Sequence, residues 1–265
     1  MKVHYIKFGI LLGISLTYFS SWSQFQKSGK IEYNVTYHRK SFIPQNFTGE
    51  LTFDSNKTIF MYDKNTFTTA VKKDSIHNNG QKTIMMSKGR ITDNIGNITY
   101  TNFETKQQVS RELIQRKPFI VDDTIVSPVW NIGTDVRNIG NYKCQNAFTT
   151  YYGREYEVWF TNNIPVGYGP WKLNGLPGLI LEAKSKDGEL IFEATKVALS
   201  KTTEVIEPPE SGTYIKSYAA FRELQDQKLE DLRKFGQSKL NEIQKPGTKM
   251  KLTGVSFRRF EKTPQ

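Results

Sequence analysis

Cysteine is almost missing from this chain: Cys144 is the only one in 265 residues. That excludes an intramolecular disulfide and a cysteine-built structural metal site. Histidine is nearly as scarce, with His4, His38 and His77 the full set. None lies in a metal-binding motif, so no metal is expected. Cys144 also has no obvious histidine partner to activate it as a nucleophile. There is no glycine-rich phosphate loop, no nucleophile elbow and no HExxH helix, and no cofactor is implied. Long hydrophobic runs are absent too: the one apolar stretch, residues 8–19, is about a dozen residues, too short to span a bilayer comfortably. Acids are outnumbered, with 26 Asp and Glu against 37 Lys and Arg. No lysine run is interleaved with aromatics in the manner of single-strand binders, so nucleic acid is not an expected partner.

What is present begins with an export signal. Lys2 and Lys7 precede the apolar stretch, and Ser21-Trp22-Ser23 places small residues before Gln24. This reads as a signal peptide over residues 1–23, the competing reading being an uncleaved N-terminal anchor. Cleavage there removes two lysines and no acids, so the net charge falls from +11 to +9. The mature chain, 24–265, carries no transmembrane segment and reads as one domain. Its basic charge permits peripheral contact with anionic head groups or acidic polysaccharide, against the simpler reading of a solvated surface.

The aromatic content, 13 Tyr and 17 Phe, suits strands, where flat rings pack on a half-buried pleated surface. Residues 31–37 alternate apolar and polar, and short strands follow at 47–53, 58–62 and 83–87. A hairpin is expected over 91–109 around Asn94-Ile95-Gly96-Asn97. Residues 144–152 and 154–161 pair across Gly153, and 179–183 and 190–194 flank a turn at 184–188. A last strand is expected over 250–257. Residues 213–243 break this pattern: they lack proline and carry a rough apolar stripe from Ile215 and Tyr218 through Phe221, Leu224, Leu229, Leu232, Phe235 and Leu240 to Ile243. Gly236 is expected to interrupt or kink that helix. The fold class is mainly β with one long α-helix (α+β), a meandering antiparallel sheet, one form of which is a half-barrel wrapped on the helix.

Candidate chemistry gathers near residue 155. Glu155, Glu157 and Trp159 share one face of a strand, and carboxylates two apart there stand roughly 7 Å apart. That spacing is within the range used by glycosidase pairs, but such pairs are also common on solvated strand faces. Arg154 points to the opposite face, where a salt bridge or a buried hydrogen-bonding role is expected. A lone cysteine in a strand, as Cys144 is, reads as a small buried hydrophobe.

From Gly140 to Gly188 the sequence is distinctive. It contains Tyr142-Lys143-Cys144-Gln145, Gly153-Arg154, Trp159, Ile164-Pro165, Gly169-Pro170-Trp171 and the hexapeptide Gly175-Leu176-Pro177-Gly178-Leu179-Ile180. This block of about fifty residues resembles the GLPGLI family, which is named for that hexapeptide. The resemblance implies an exported protein of Gram-negative bacteria, in the periplasm or at the outer membrane. The family has no established activity, so no catalytic residue is carried over. Read physically, residues 176–179 suit a type II turn, with Pro177 fixing φ at the second position and Gly178 taking positive φ at the third. Gly175 allows close backbone passage, and Leu179-Ile180-Leu181 enters a buried strand. The motif is either wholly structural or the base of a lip, over 164–176, that presents Tyr168, Trp171 and Leu173 to a ligand or partner. The leading expectation is a non-enzymatic binding, carrier or accessory protein, its partner an outer-membrane protein or an apolar ligand. The rival is an exported hydrolase of glycan or peptide.

Overall fold

The computed structural model describes residues 28–38, 44–66, 71–76, 82–87, 92–199, 205–243 and 259–261. The signal peptide expected over residues 1–23 and the strand expected over 250–257 lie outside these residues. In chain order the strands are β1 Gly29–Tyr37, β2 Gln45–Phe53, β3 Lys57–Tyr62, β4 Val71–Ile76, β5 Lys82–Ser87, β6 Asn97–Asn102, β7 Gln107–Ile114, β8 Lys117–Thr124, β9 Asn131–Ile139, β10 Tyr142–Tyr151, β11 Arg154–Thr161, β12 Leu179–Ser185, β13 Leu190–Leu199 and β14 Thr213–Ile215. The helix, α1, runs Tyr218–Ile243.

Twelve strands form one open sheet in the order β14-β8-β7-β6-β3-β2-β1-β13-β12-β11-β10-β9, while β4 and β5 pair separately as a hairpin. The chain meanders except at three places, the first being β3, which pairs with β6 past the β4–β5 pair. β1 lies mid-sheet and pairs with β13, far away in sequence, as well as with β2. β14 joins the far edge alongside β8, and it runs parallel. The sheet is therefore mixed, not purely antiparallel, and it does not close into a barrel.

Several local expectations change. The hairpin around 94–97 is replaced by one between β6 and β7, which closes over residues 103–106. Its partner on the other side is β3. Residues 93–96 instead form a turn in which Asp93 accepts from the backbone N–H groups of Ile95 and Gly96. Arg111, almost wholly buried, forks onto that carboxylate and donates to the Gly96 and Ser211 carbonyls. Burial pulls the Asp93 carboxyl up, but the Arg111 guanidinium and the turn amides hold it below the usual carboxylate range.

The sheet is not wrapped on the helix. Ser217 caps α1 by accepting from the Ala220 N–H. The first turns then dock Tyr218, Phe221 and Leu224 on Ile114, Phe119, Val121 and Ile215 at the β8–β14 edge. Further along, Gln225 and Leu229 are buried but Phe235 is 64% exposed. The helix runs through Gly236 without a break.

What covers the sheet is a loop. Ile31, Tyr33, Val35, Tyr37, Phe47, Leu51, Phe53, Phe60, Tyr156, Val158, Leu190 and Phe192 all lie on one face by strand alternation. They form one core with Ile164, Val166, Trp171, Leu173 and Leu176 from the β11–β12 connection. That loop reaches across to the opposite half of the sheet: Tyr168 donates to the Ser55 carbonyl at 2.8 Å and stacks on Phe103. Where the loop passes into β12, the Ile180 carbonyl accepts from the Tyr33 hydroxyl at 2.6 Å.

Candidate functional site

The hexapeptide is the hinge of this loop, with its two glycines in exchanged roles. Gly175 carries the left-handed φ, 93°, on an exposed corner. Gly178 has no such φ; instead a Cβ there would lie 2.1 Å from the Thr161 carbonyl oxygen. The close passage expected at Gly175 belongs to Gly178, because residues 178–180 press on the end of β11 while entering β12. Trp130 anchors the corner by donating to the Asn174 carbonyl at 2.8 Å.

The lip folds inward. Trp171 is 4% exposed, Leu173 1% and the intervening Lys172 is buried as well. Trp171 adopts φ 57°, a strained conformation for a bulky residue. A loop without periodicity gives no parity from which this inward turn could be read.

Lys172 is the feature that sequence reasoning missed. Its ammonium lies 4.0 Å from the Tyr218 ring centroid and 4.6 Å from that of Tyr152. It donates to a Glu261 carboxylate oxygen at 3.3 Å, and the Tyr218 hydroxyl donates to the other. Burial alone would discharge Lys172, but Glu261, foremost among nearby negative groups, more than offsets it and raises the ammonium pKa above its ordinary value.

Beside this pair, the ring of Phe260 enters an aromatic cage. Its centroid is 5.0 Å from Tyr62, 5.6 Å from Phe192, 5.8 Å from Trp171, 6.2 Å from Tyr37 and 6.4 Å from Phe47. Arg154, 2% exposed at its side chain, completes the site. Its Nε donates to the Phe260 carbonyl at 2.7 Å and its Nη2 to that of Arg259 at 3.3 Å. Its Nη1 binds Asp187 and Glu189 on the β12–β13 turn at 2.6 and 3.0 Å.

The remaining sequence candidates lie elsewhere. Glu155, Glu157 and Trp159 are on the opposite face of β11 from Arg154, Tyr156 and Val158. Glu155 is exposed and ion-paired to Lys186 at 2.7 Å. Arg137 stacks over Trp159 at 4.1 Å and pairs with Glu182. Cys144 is 1% exposed, and burial pushes its thiol pKa up, away from nucleophilic use. Among the described residues no group of three or more His, Cys, Asp or Glu is placed to hold a metal ion. No helix there is long and apolar enough to cross a membrane.

Comparison with known proteins finds one family model, described as "Protein of unknown function (Porph_ging)", matching residues 152–182. No curated protein matches the chain. Among solved structures, PNGF-II in a P21 crystal form is similar at 16% identity and a TM-score of 0.50, over 75% of this chain and 33% of that one. A C2 crystal form of PNGF-II gives 17% identity and a TM-score of 0.48 over 74% and 32%. The LolA superfamily protein NE2245 from Nitrosomonas europaea gives 8% identity and a TM-score of 0.29 over 67% and 88%. The chain spans about a third of the length of PNGF-II, and that likeness concerns the fold alone. The matched segment, 152–182, begins at Tyr152 beside Lys172, includes Arg154 and Trp171, and ends just past the hexapeptide.

Proposed function

We propose that this chain is an exported, non-enzymatic binding or carrier protein of the periplasm or outer membrane. Its site is the cleft lined by Arg154, Trp171 and Lys172, and its ligand joins an apolar group to an anionic one. The observation that carries this reading is the occupant of the cleft. A fully buried cation and a cage of five aromatic rings are filled by an aromatic and an acidic side chain outside any strand or helix. Buried cations are costly unless paired, so this site favours occupants that bring an anion and an apolar body together. The buried Tyr156 hydroxyl, which has no hydrogen-bonding partner among the described residues, adds a donor on the same sheet face. Partners on this reading are an apolar ligand or an outer-membrane protein. Tyr168 and Leu173 position the loop, whereas Trp171 touches the occupant.

The test is native mass spectrometry of the chain purified gently from its own host. A reproducible adduct that disappears on denaturation, and is lost in Lys172→Met protein that remains folded, is the expected outcome. A bare mass with no bound molecule or chain overturns the reading.

A further inference from the structure

Arg259, Phe260 and Glu261 are held as a receptor holds a peptide. The sheet's own segments satisfy their backbone groups through ladders, but here side chains read the backbone. The Arg259 N–H donates to the Tyr37 hydroxyl at 3.5 Å, and Arg154 takes the next two carbonyls. Arg222 of α1 donates to the Glu261 carbonyl at 3.5 Å. Each side chain has its own receptor group. Arg259 pairs with Asp226 of α1 at 2.8 Å, Phe260 fills the cage, and Glu261 meets Lys172 and Tyr218. The receptor groups come from β1, β2, β3, β11, β13, the β11–β12 loop and α1, which are far apart in sequence.

Resting on the binding reading above, we infer that this cleft is a peptide-recognition site for a basic-aromatic-acidic run, bent as residues 260–261 are, and that residues 259–261 are its resident, displaceable occupant. A ligand recognised only by its apolar body would not need two consecutive carbonyls read by one guanidinium. Arg154 also ties down Asp187 and Glu189, so its fork is fixed before a peptide arrives, and little side-chain entropy is lost on binding. A partner therefore competes with the chain's own segment, and apparent affinity for an added peptide is reduced by the fraction of cleft already filled.

The experiment keeps the full chain through folding. A protease site is introduced within residues 244–258, the protein is folded, then cut and exchanged into fresh buffer. The expected result is a body that retains its circular dichroism, sheds the cut segment and binds a labelled peptide of residues 257–263. Phe260→Ala in that peptide should weaken binding by about thirtyfold or more, the scale of a buried aromatic anchor. Glu261→Gln in the peptide should weaken binding to the intact body more than to a Lys172→Met body, where only Tyr218 and Arg222 still face that carboxylate. Retention of the cut segment through extensive dilution overturns the inference, as does unfolding of the body when the segment leaves. If either occurs while the uncut host protein still carries its adduct, the binding reading survives and only the peptide assignment falls.

Discussion

At the scale of single residues, Trp171 combines two features that seldom occur together: a large buried ring and a left-handed backbone. L-residues lose about 1–2 kcal/mol in that conformation, and only glycine avoids it. The ring's packing against Tyr151, Tyr152 and Phe260 offsets the strain. Trp171→Ala removes the packing and keeps the strain, so a loss of about 3–5 kcal/mol is expected in urea unfolding. Trp171→Gly removes both and should be no less stable than Trp171→Ala, reversing the usual order. A clearly less stable glycine variant would show that the left-handed φ is not retained in solution.

At the scale of elements, the hexapeptide shows what was legible in advance. That glycine is required at both 175 and 178 follows from composition and position; which one bends and which one makes room depends on Thr161, a neighbour only after folding. Gly178→Ala should therefore cost several kcal/mol, since backbone must move, and Gly175→Ala only about 1–2 kcal/mol of strain. Comparing the two denaturation midpoints checks this, and equal losses would contradict it. The strands of β1, β2, β3, β11, β12 and β13 were readable because alternation marks a half-buried face, and the same parity sets Arg154 opposite Glu155 and Glu157. The helix was legible as a helix, but its docking was not. The apolar stripe says that a face can be buried, whereas the loop carrying Trp171 and Leu173 already covers the sheet. Phe260 and Glu261 gave no periodic signal, and their partners Arg154 and Lys172 lie about a hundred residues away.

At the scale of the whole molecule, the sheet is continuous but its support is uneven. β1, β2, β3 and β10–β13 share the main core with the crossing loop, whereas β6–β8, β14 and α1 rest on two small clusters. Opening free energies follow buried apolar contact, so the β8–β14–α1 end should exchange amide hydrogens well before β1, β12 and β13. Native-state hydrogen exchange would show this as an early-exchanging unit, and uniform protection across the sheet would contradict it.

The placement of β1 also has a consequence for synthesis. It emerges from the ribosome first among the described strands, yet its register with β13, Gly29 opposite Leu199, cannot form until about 170 further residues have been made. Until then both the β1 edge and its aromatic face stand open. No N-terminal portion that stops short of β13 completes the pairing of β1, and closing so long a loop is slow. A nascent chain must therefore be kept from pairing with its neighbours through β1, which gives holding chaperones a defined segment to protect.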